Sequence, residues 1–199
     1  ILAVDAYNTL YQFLTTIRGR DGSPLTDSKG NVTSHLVGLF SRTTSLMQHG
    51  MKLAFVFDGI PPKLKQKERE KRESAKEQAE KKYKEAVAKE DIEEMKKYAS
   101  RTSRLTKDMV EEAKKLVDAL GLPVVQAPSE GEAQCSYMVK NNGAFAVVSQ
   151  DFDSLLHGAT RLVRNLSIAG KRKKPGKLAY DTVKPEIIDL AGNLKALGI

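Results

Sequence analysis

Four short apolar runs, each followed within a few residues by acidic side chains, constrain this sequence more than any other feature. They read ILAV at 1–4, KLAFVF at 52–57, PVVQ at 123–126 and FAVVS at 145–149. Runs this short, rich in Val and Phe and bounded by turn residues, have the pattern of buried strands. The segments between them carry helical periodicity. Over 7–17, Leu10, Phe13, Leu14 and Ile17 fall at i, i+3, i+4 and i+7. Over 34–48, Leu36, Leu39, Phe40, Thr43 and Met47 recur at helical spacing, and Gly50 is placed to end the helix. Thr106 is positioned to cap a helix reaching Leu120, stopped by Gly121 and Pro123, and Ser129 to open another ending near Lys140. Strands alternating with amphipathic helices predict an α/β fold, with a mostly parallel twisted sheet flanked by helices. The stretch 18–30 is a turn-rich loop. The stretch 161–180 reads as a hairpin with Lys171, Arg172, Lys173 and Lys174 at its tip and Pro175-Gly176 as the turn.

A chain of 199 residues is one domain's worth and can bury a core without staples, which excludes disulfide-rich and zinc-finger miniatures. The single Cys135 can form neither an internal bridge nor a zinc cluster, as expected of a reducing, intracellular compartment. The uncharged run 6–17 is far short of the roughly 20 apolar residues of a membrane span, and no signal-peptide pattern is present. The sequence opens inside an apolar run, which leads us to expect a fragment lacking its natural beginning. Lys and Arg number 33 against 25 Asp and Glu, a net charge of +8 that favours an acidic partner such as nucleic acid. Plain solubility is the competing reading of that charge.

Between 63 and 101 the composition changes abruptly, to 14 Lys or Arg and 10 Asp or Glu with few large aliphatic residues. Helix propensity is high there, but no apolar stripe is wide enough to bury against a core. The segment is expected to stand off the globule as a solvated helical arm, and an ion-paired surface helix or coiled-coil arm is the plainer alternative.

The acids sit where the strands end. Asp5 follows the first run and Asp58 the second; Glu130 and Glu132 follow the third, and Asp151 and Asp153 the fourth. In a parallel sheet ligands gather at the carboxyl ends of the strands, so six carboxylates would converge there. Like charges that close raise one another's pKa unless a cation stands among them. With only hard oxygen donors, magnesium or manganese is favoured over zinc, and six carboxylates suffice for two ions, the apparatus of phosphodiester cleavage. Each acid also has a plainer role: Asp58-Gly59 as a turn, Asp151 as a helix cap, and Ser129-x-x-Glu132 as a capping box.

The stretches AVDAYNTLYQFL, GLFSRT, VFDGIPPKLK, QAPSEGEAQ, SQDFDSLLHGA and RLVRNL, in this order, resemble the flap endonucleases, the structure-specific 5′ nucleases of the XPG-like superfamily, most closely those of archaea. The resemblance implies a PIN-like 5′ nuclease core over 1–199, with the charged segment 63–101 as a helical arch that admits a single-stranded 5′ flap. It implies one metal held by Asp5, Asp58, Glu130 and Glu132, and a second at Asp151 and Asp153, both magnesium or manganese. Lys65 and Arg72 match the basic pair at the base of the arch; seven residues apart, they would share a helix face and neutralise charge on the scissile phosphate. Tyr11 matches an aromatic on which a base stacks, with helix packing as its alternative. Arg18 and Arg42 match DNA-contacting arginines, with plain surface charge as theirs. His35, His49 and His157 lack metal-like spacing and read as ordinary polar residues, and Cys135 as core.

Four features that the resemblance implies fall outside the sequence: a segment before the first strand, a further aspartate for the second metal, the helix–two-turn–helix that holds duplex DNA with a potassium ion, and a tail for a sliding clamp. The expected activity is hydrolysis at 5′ flap junctions in DNA replication and repair, by a monomer in the cytoplasm or nucleoid of an archaeon, or in a eukaryotic nucleus. Two alternatives stand beside it, a PIN-type ribonuclease and a non-catalytic nucleic-acid-binding module with a coiled-coil arm. A haloacid-dehalogenase phosphatase is disfavoured because Asp5-Ala6-Tyr7 lacks that family's second aspartate.

Overall fold

The computed structural model describes residues 1–19, 22–99, 102–166, 171–173 and 180–199. It divides into two compact units, one of Ile1–Thr9, Ser45–Ile60 and Leu122–Ile199, the other of Leu10–Thr44 and Pro61–Gly121.

The first unit holds a six-stranded sheet. Its strands are β1 (Leu2–Asp5), β2 (Leu53–Phe57), β3 (Val124–Gln126), β4 (Ala146–Val148) and β5 (Arg161–Arg164), with β8 (Glu186–Asp189) at one edge. A separate two-stranded ribbon pairs β6 (Lys171–Lys173) with β7 (Tyr180–Thr182). The order across the sheet is β3-β2-β1-β4-β5-β8, parallel throughout except for the antiparallel β5–β8 pair. Uninterrupted apolar sequence is what a strand covered on both faces requires. All five residues of β2 and all three of β4 are buried. Helix α6 (Gly131–Lys140) packs on this sheet through Cys135 and Val139, which share a core with Ala3, Val56, Val147 and Leu162.

From β1 the chain builds the sheet in one direction through β2 and β3, then returns to lay β4 on the other side of β1. Open parallel sheets form their ligand crevice at such a reversal of strand order. Here the reversal lies between the carboxyl ends of β1 and β4.

The sequence reading differs from the fold at three places. The hairpin expected over 161–180 is not one element: Arg161–Arg164 joins the main sheet, and Lys171–Lys173 forms a strand of the ribbon instead of a turn tip. Burial of Leu162 and Val163 explains the capture of β5. Lys174, Pro175 and Gly176 lie outside the described residues. Helix α6 starts at Gly131, with Glu130 as its N-cap residue, because the Ser129 hydroxyl is used elsewhere, donating to the Ile60 carbonyl at 3.0 Å. The edge strand β8 and helix α8 (Leu190–Leu197), capped by Asp189 accepting from Gly192 N–H at 2.8 Å, carried no signal that we read in the sequence.

The second unit contains most of α1 (Ala6–Thr16) and α2 (Ser34–Gln48), and all of α3 (Gln66–Ala88), α4 (Ile92–Ala99) and α5 (Lys107–Ala119). Gly38 lets α1 and α2 approach closely, since a Cβ there would overlap the Phe13 ring and stand 2.6 Å from Ile17 Cδ1. Helix α3 is exposed along most of its length, as its charge density predicts, and buries only Ala79 and Ala86. Helix α4 packs against it, with Tyr98 buried and Lys82 Nζ 5.7 Å from the Tyr98 ring centre. Arg104 reaches back to α3, 2.6 Å from Glu73 and 3.8 Å from Glu80. Thr106 caps α5 as expected, accepting from Met109 N–H at 3.3 Å. His35 is fully buried, with Nε2 3.4 Å from a Glu112 oxygen, so it serves the core of this unit.

Candidate active site

Asp5 is the last residue of β1 and, at 2% exposure, the most deeply buried of the six strand-end acids. Its two oxygens have different partners. Oδ1 accepts the Asn8 backbone N–H at 3.0 Å, an N-capping bond on the first turn of α1. Oδ2 accepts the buried Ser149 hydroxyl at 3.3 Å, from the end of β4. The Asp5 carboxyl is pushed up to about 7, chiefly by burial and also by repulsion from Asp58 and Asp151, against the lowering effect of the bonds from Asn8 and Ser149.

Asp58 directly follows β2, and its Oδ1 accepts the Gly131 N–H at 2.7 Å, from the first residue of α6. Gln126 of β3 donates its amide to the Asp58 carbonyl at 2.7 Å, which fixes the backbone beneath. Burial raises the Cys135 thiol, and Asp5, Glu132 and Asp58 add to that rise, so Glu132 belongs to the same negative neighbourhood. Glu130 lies just before α6, one oxygen 3.8 Å from His157 Nε2.

Asp151 follows β4 and is exposed. It is not a helix cap, because α7 (Asp153–Leu156) begins two residues later with Phe152 at the N-cap position. Its backbone N–H donates to Ser149 Oγ at 3.3 Å and its Oδ2 accepts from Asn8 Nδ2 at 2.6 Å. Asp153 opens α7 with its side chain exposed. The intervening loop is pinned by Arg164, which donates through Nε to the Gln150 carbonyl at 3.1 Å and stacks 4.3 Å from the Phe152 ring centre.

Asp5, Asp58, Glu132 and Asp151 thus share one field. Among the described residues, no three of His, Cys, Asp or Glu stand at the spacing of ligands around one ion, so the acids form an electrostatic cluster and not a closed coordination shell. The chemistry of the six donors still fits a hard divalent cation: all are carboxylates, and one is buried with its charged form disfavoured until positive charge arrives. The sequence reading missed Asn8, Ser149 and Arg164. The spacing Asp5-x-x-Asn8 at a helix start is a capping signal that could have pointed to Asn8; Ser149 and Arg164 have no comparable local signature.

The other expected site residues lie in the second unit. Lys65 closes a 3-10 turn, Lys63–Lys65, that runs into α3, so it is not on one continuous helix with Arg72 as its spacing suggested; Pro61-Pro62 ahead of it delays the α-helix to Gln66. Arg72 lies on α3, its Nε 3.2 Å from Glu68. The Tyr11 hydroxyl donates to the Ser103 carbonyl at 2.7 Å, and Lys76 Nζ sits 5.2 Å from its ring centre. Arg18 donates to the Thr15 and Gly22 carbonyls at 3.3 and 2.8 Å and to the Ser103 hydroxyl, so its guanidinium is engaged within the chain. Arg42 lies on α2, half-buried.

Two family models match the chain, the XPG N-terminal domain over residues 1–79 and the XPG I-region over residues 121–199. A curated flap endonuclease 1 from Ignicoccus hospitalis is 60% identical over 198 residues, covering all of this chain and 57% of the relative. That from Pyrococcus horikoshii is 57% identical over 198 residues, with 58% of its length covered. Among solved structures, flap endonuclease-1 from Methanococcus jannaschii matches with a TM-score of 0.71 at 50% identity, over all of this chain and 59% of that one. The catalytic core of Rad2 in complex with DNA substrate matches at 0.61 and 28% identity, over all of this chain and 50% of that one. The chain therefore spans less than two thirds of the length of these relatives. With both models matched, one over residues 1–79 and the other over 121–199, and the sheet shared with solved members, the chain belongs to the XPG family.

Proposed function

We propose that this chain is the nuclease core of a divalent-metal-dependent, structure-specific endonuclease that cuts DNA at 5′ flap junctions in replication and repair. One observation carries the reading: Asp5, Asp58 and Asp151 stand at the carboxyl ends of three adjacent parallel strands, close enough that Asp58 and Asp151 both disfavour charge on the buried Asp5. That the curated relatives are flap endonucleases supports the choice of substrate.

Asp5, Asp58, Glu130 and Glu132 would hold one magnesium or manganese ion, and Asp151 with Asp153 a second. When bound, the ions lower the pKa of the attacking water and offset charge building on the transferring phosphate. Asp5 is the least adaptable of the acids, since both its oxygens are already positioned by Asn8 and Ser149. Lys65 and Arg72 would neutralise the scissile phosphate. The Arg72–Glu68 pair is solvent-exposed, and such pairs are worth at most about 1 kcal/mol, so phosphate can displace it. Tyr11, Arg18 and Arg42 are proposed contacts to the nucleic acid, with Arg18 acting mainly by holding the loop after α1. The products carry a 5′-phosphate and a 3′-hydroxyl. In the intact protein a sliding clamp is the proposed partner, the proposed state is a monomer, and the proposed setting is intracellular; no helix among the described residues is long and apolar enough to cross a membrane.

The test is cleavage of a 5′-labelled flap DNA with magnesium, manganese or chelator, against a matched RNA stem-loop. Metal-dependent incision at the junction is expected. Preference for the RNA would favour a ribonuclease, and absence of both cleavage and calorimetric metal binding would leave a binding module.

A further inference from the structure

The carboxyl ends of β1 and β4 are joined by two side-chain bridges, and one residue anchors the more exposed of them. Asn8 projects from the first turn of α1. Its backbone N–H holds Asp5 Oδ1 at 3.0 Å, and its Nδ2 holds Asp151 Oδ2 at 2.6 Å. Its Oδ1 accepts the Gln150 N–H at 3.1 Å. That last bond fixes which way the amide faces, because the oxygen must meet the Gln150 donor and the amino group is left for Asp151. The second bridge is Ser149, whose hydroxyl donates to Asp5 Oδ2 at 3.3 Å and accepts the Asp151 N–H at 3.3 Å.

We propose that Asn8 is a positioning residue, which sets the Asp151 carboxylate at a fixed distance from Asp5 across the reversal of strand order and so fixes the spacing of the two proposed ions. Asn8 would ligate no metal and touch no substrate. Asp151 is exposed and follows a three-residue strand, so the short β4 ladder alone leaves its side chain free to rotate away. The charge-assisted bond from Nδ2 selects one rotamer. Side chains that orient metal ligands in this way typically contribute about 10–100-fold in metal affinity or activity.

This inference rests on the proposed metal site, and its test separates the two. Manganese binding by calorimetry and single-turnover cleavage of a flap DNA are measured on the full chain for wild type, Asn8→Ala and Asn8→Asp. Asn8→Asp keeps the volume and the acceptor for Gln150 N–H but cannot donate to an ionised Asp151. Both variants are expected to weaken binding of one manganese ion by about 10-fold or more and to slow cleavage by about 10–100-fold. The flap KM should be unchanged, and the rate should partly recover at high manganese. Wild-type manganese affinity in a folded Asn8→Asp protein overturns the proposal, even if Asn8→Ala fails to fold. A wild-type chain that binds manganese without cutting flaps would sink the functional reading alone, and the isotherms would still decide the role of Asn8.

Discussion

Gly131 and Asp58 meet at a distance only glycine permits. The Gly131 N–H donates to Asp58 Oδ1 at 2.7 Å, and a Cβ on residue 131 would stand 2.8 Å from that same oxygen. Because the crowded atom is the end of a side chain and not backbone, Gly131→Ala can be relieved by rotating Asp58. Unfolding stability should change by no more than about 1 kcal/mol, while cleavage falls about 10–100-fold through the displaced carboxylate. Denaturant titration and single-turnover kinetics on the same sample check this; a wild-type rate would show that the Asp58 rotamer is immaterial.

Asp5 makes stability depend on pH with a definite sign. Its carboxyl rises from 3.8 to about 7 on folding, so between these values the folded chain keeps a proton that the unfolded chain has lost. Stability from this group is complete below pH 4 and declines as pH rises through 7, by up to about 4 kcal/mol. Chelated protein should therefore lose stability across that window, Asp5→Asn should flatten the slope, and added magnesium should stabilise most above pH 7. An equal slope in Asp5→Asn would contradict the assignment.

Asp151→Asn removes charge from the proposed second metal position while leaving an oxygen for the Asn8 amide. Cleavage should fall by about 1,000-fold or more, since loss of one electrostatic contact to the transition state costs that order, and flap binding in calcium should stay within about 3-fold of wild type. Full activity in this variant would remove Asp151 from the catalytic group.

Arg72→Ala tests the arch. Single-turnover cleavage should slow by about 100-fold, with flap affinity reduced far less, because the charge is needed where the phosphate gains charge and not where the duplex is held. Thermal stability should not move, as the Glu68 pair it gives up is exposed. An unchanged rate would leave Arg72 as surface charge.

The sequence by itself determined the parallel α/β class, the burial of β2 and β4, the cap at Thr106 and the solvated charge of α3, because each follows from local periodicity or composition. It also marked all six acids, since a strand's end is visible wherever an apolar run stops. Tertiary structure decided the rest. Strand order is a non-local property, and only the placement of β4 beside β1 brings Asp151 within reach of Asn8 and Ser149 within reach of Asp5. Capture of Arg161–Arg164 by the main sheet depends on a partner, β4, about 15 residues away, beside which Leu162 and Val163 become buried. Each of the two bridges between β1 and β4 turns on a bond between residues distant in sequence, 143 positions for Asn8–Asp151 and 144 for Asp5–Ser149, and such bonds act only within about 3.5 Å; no periodicity encodes them, and the fold alone creates them.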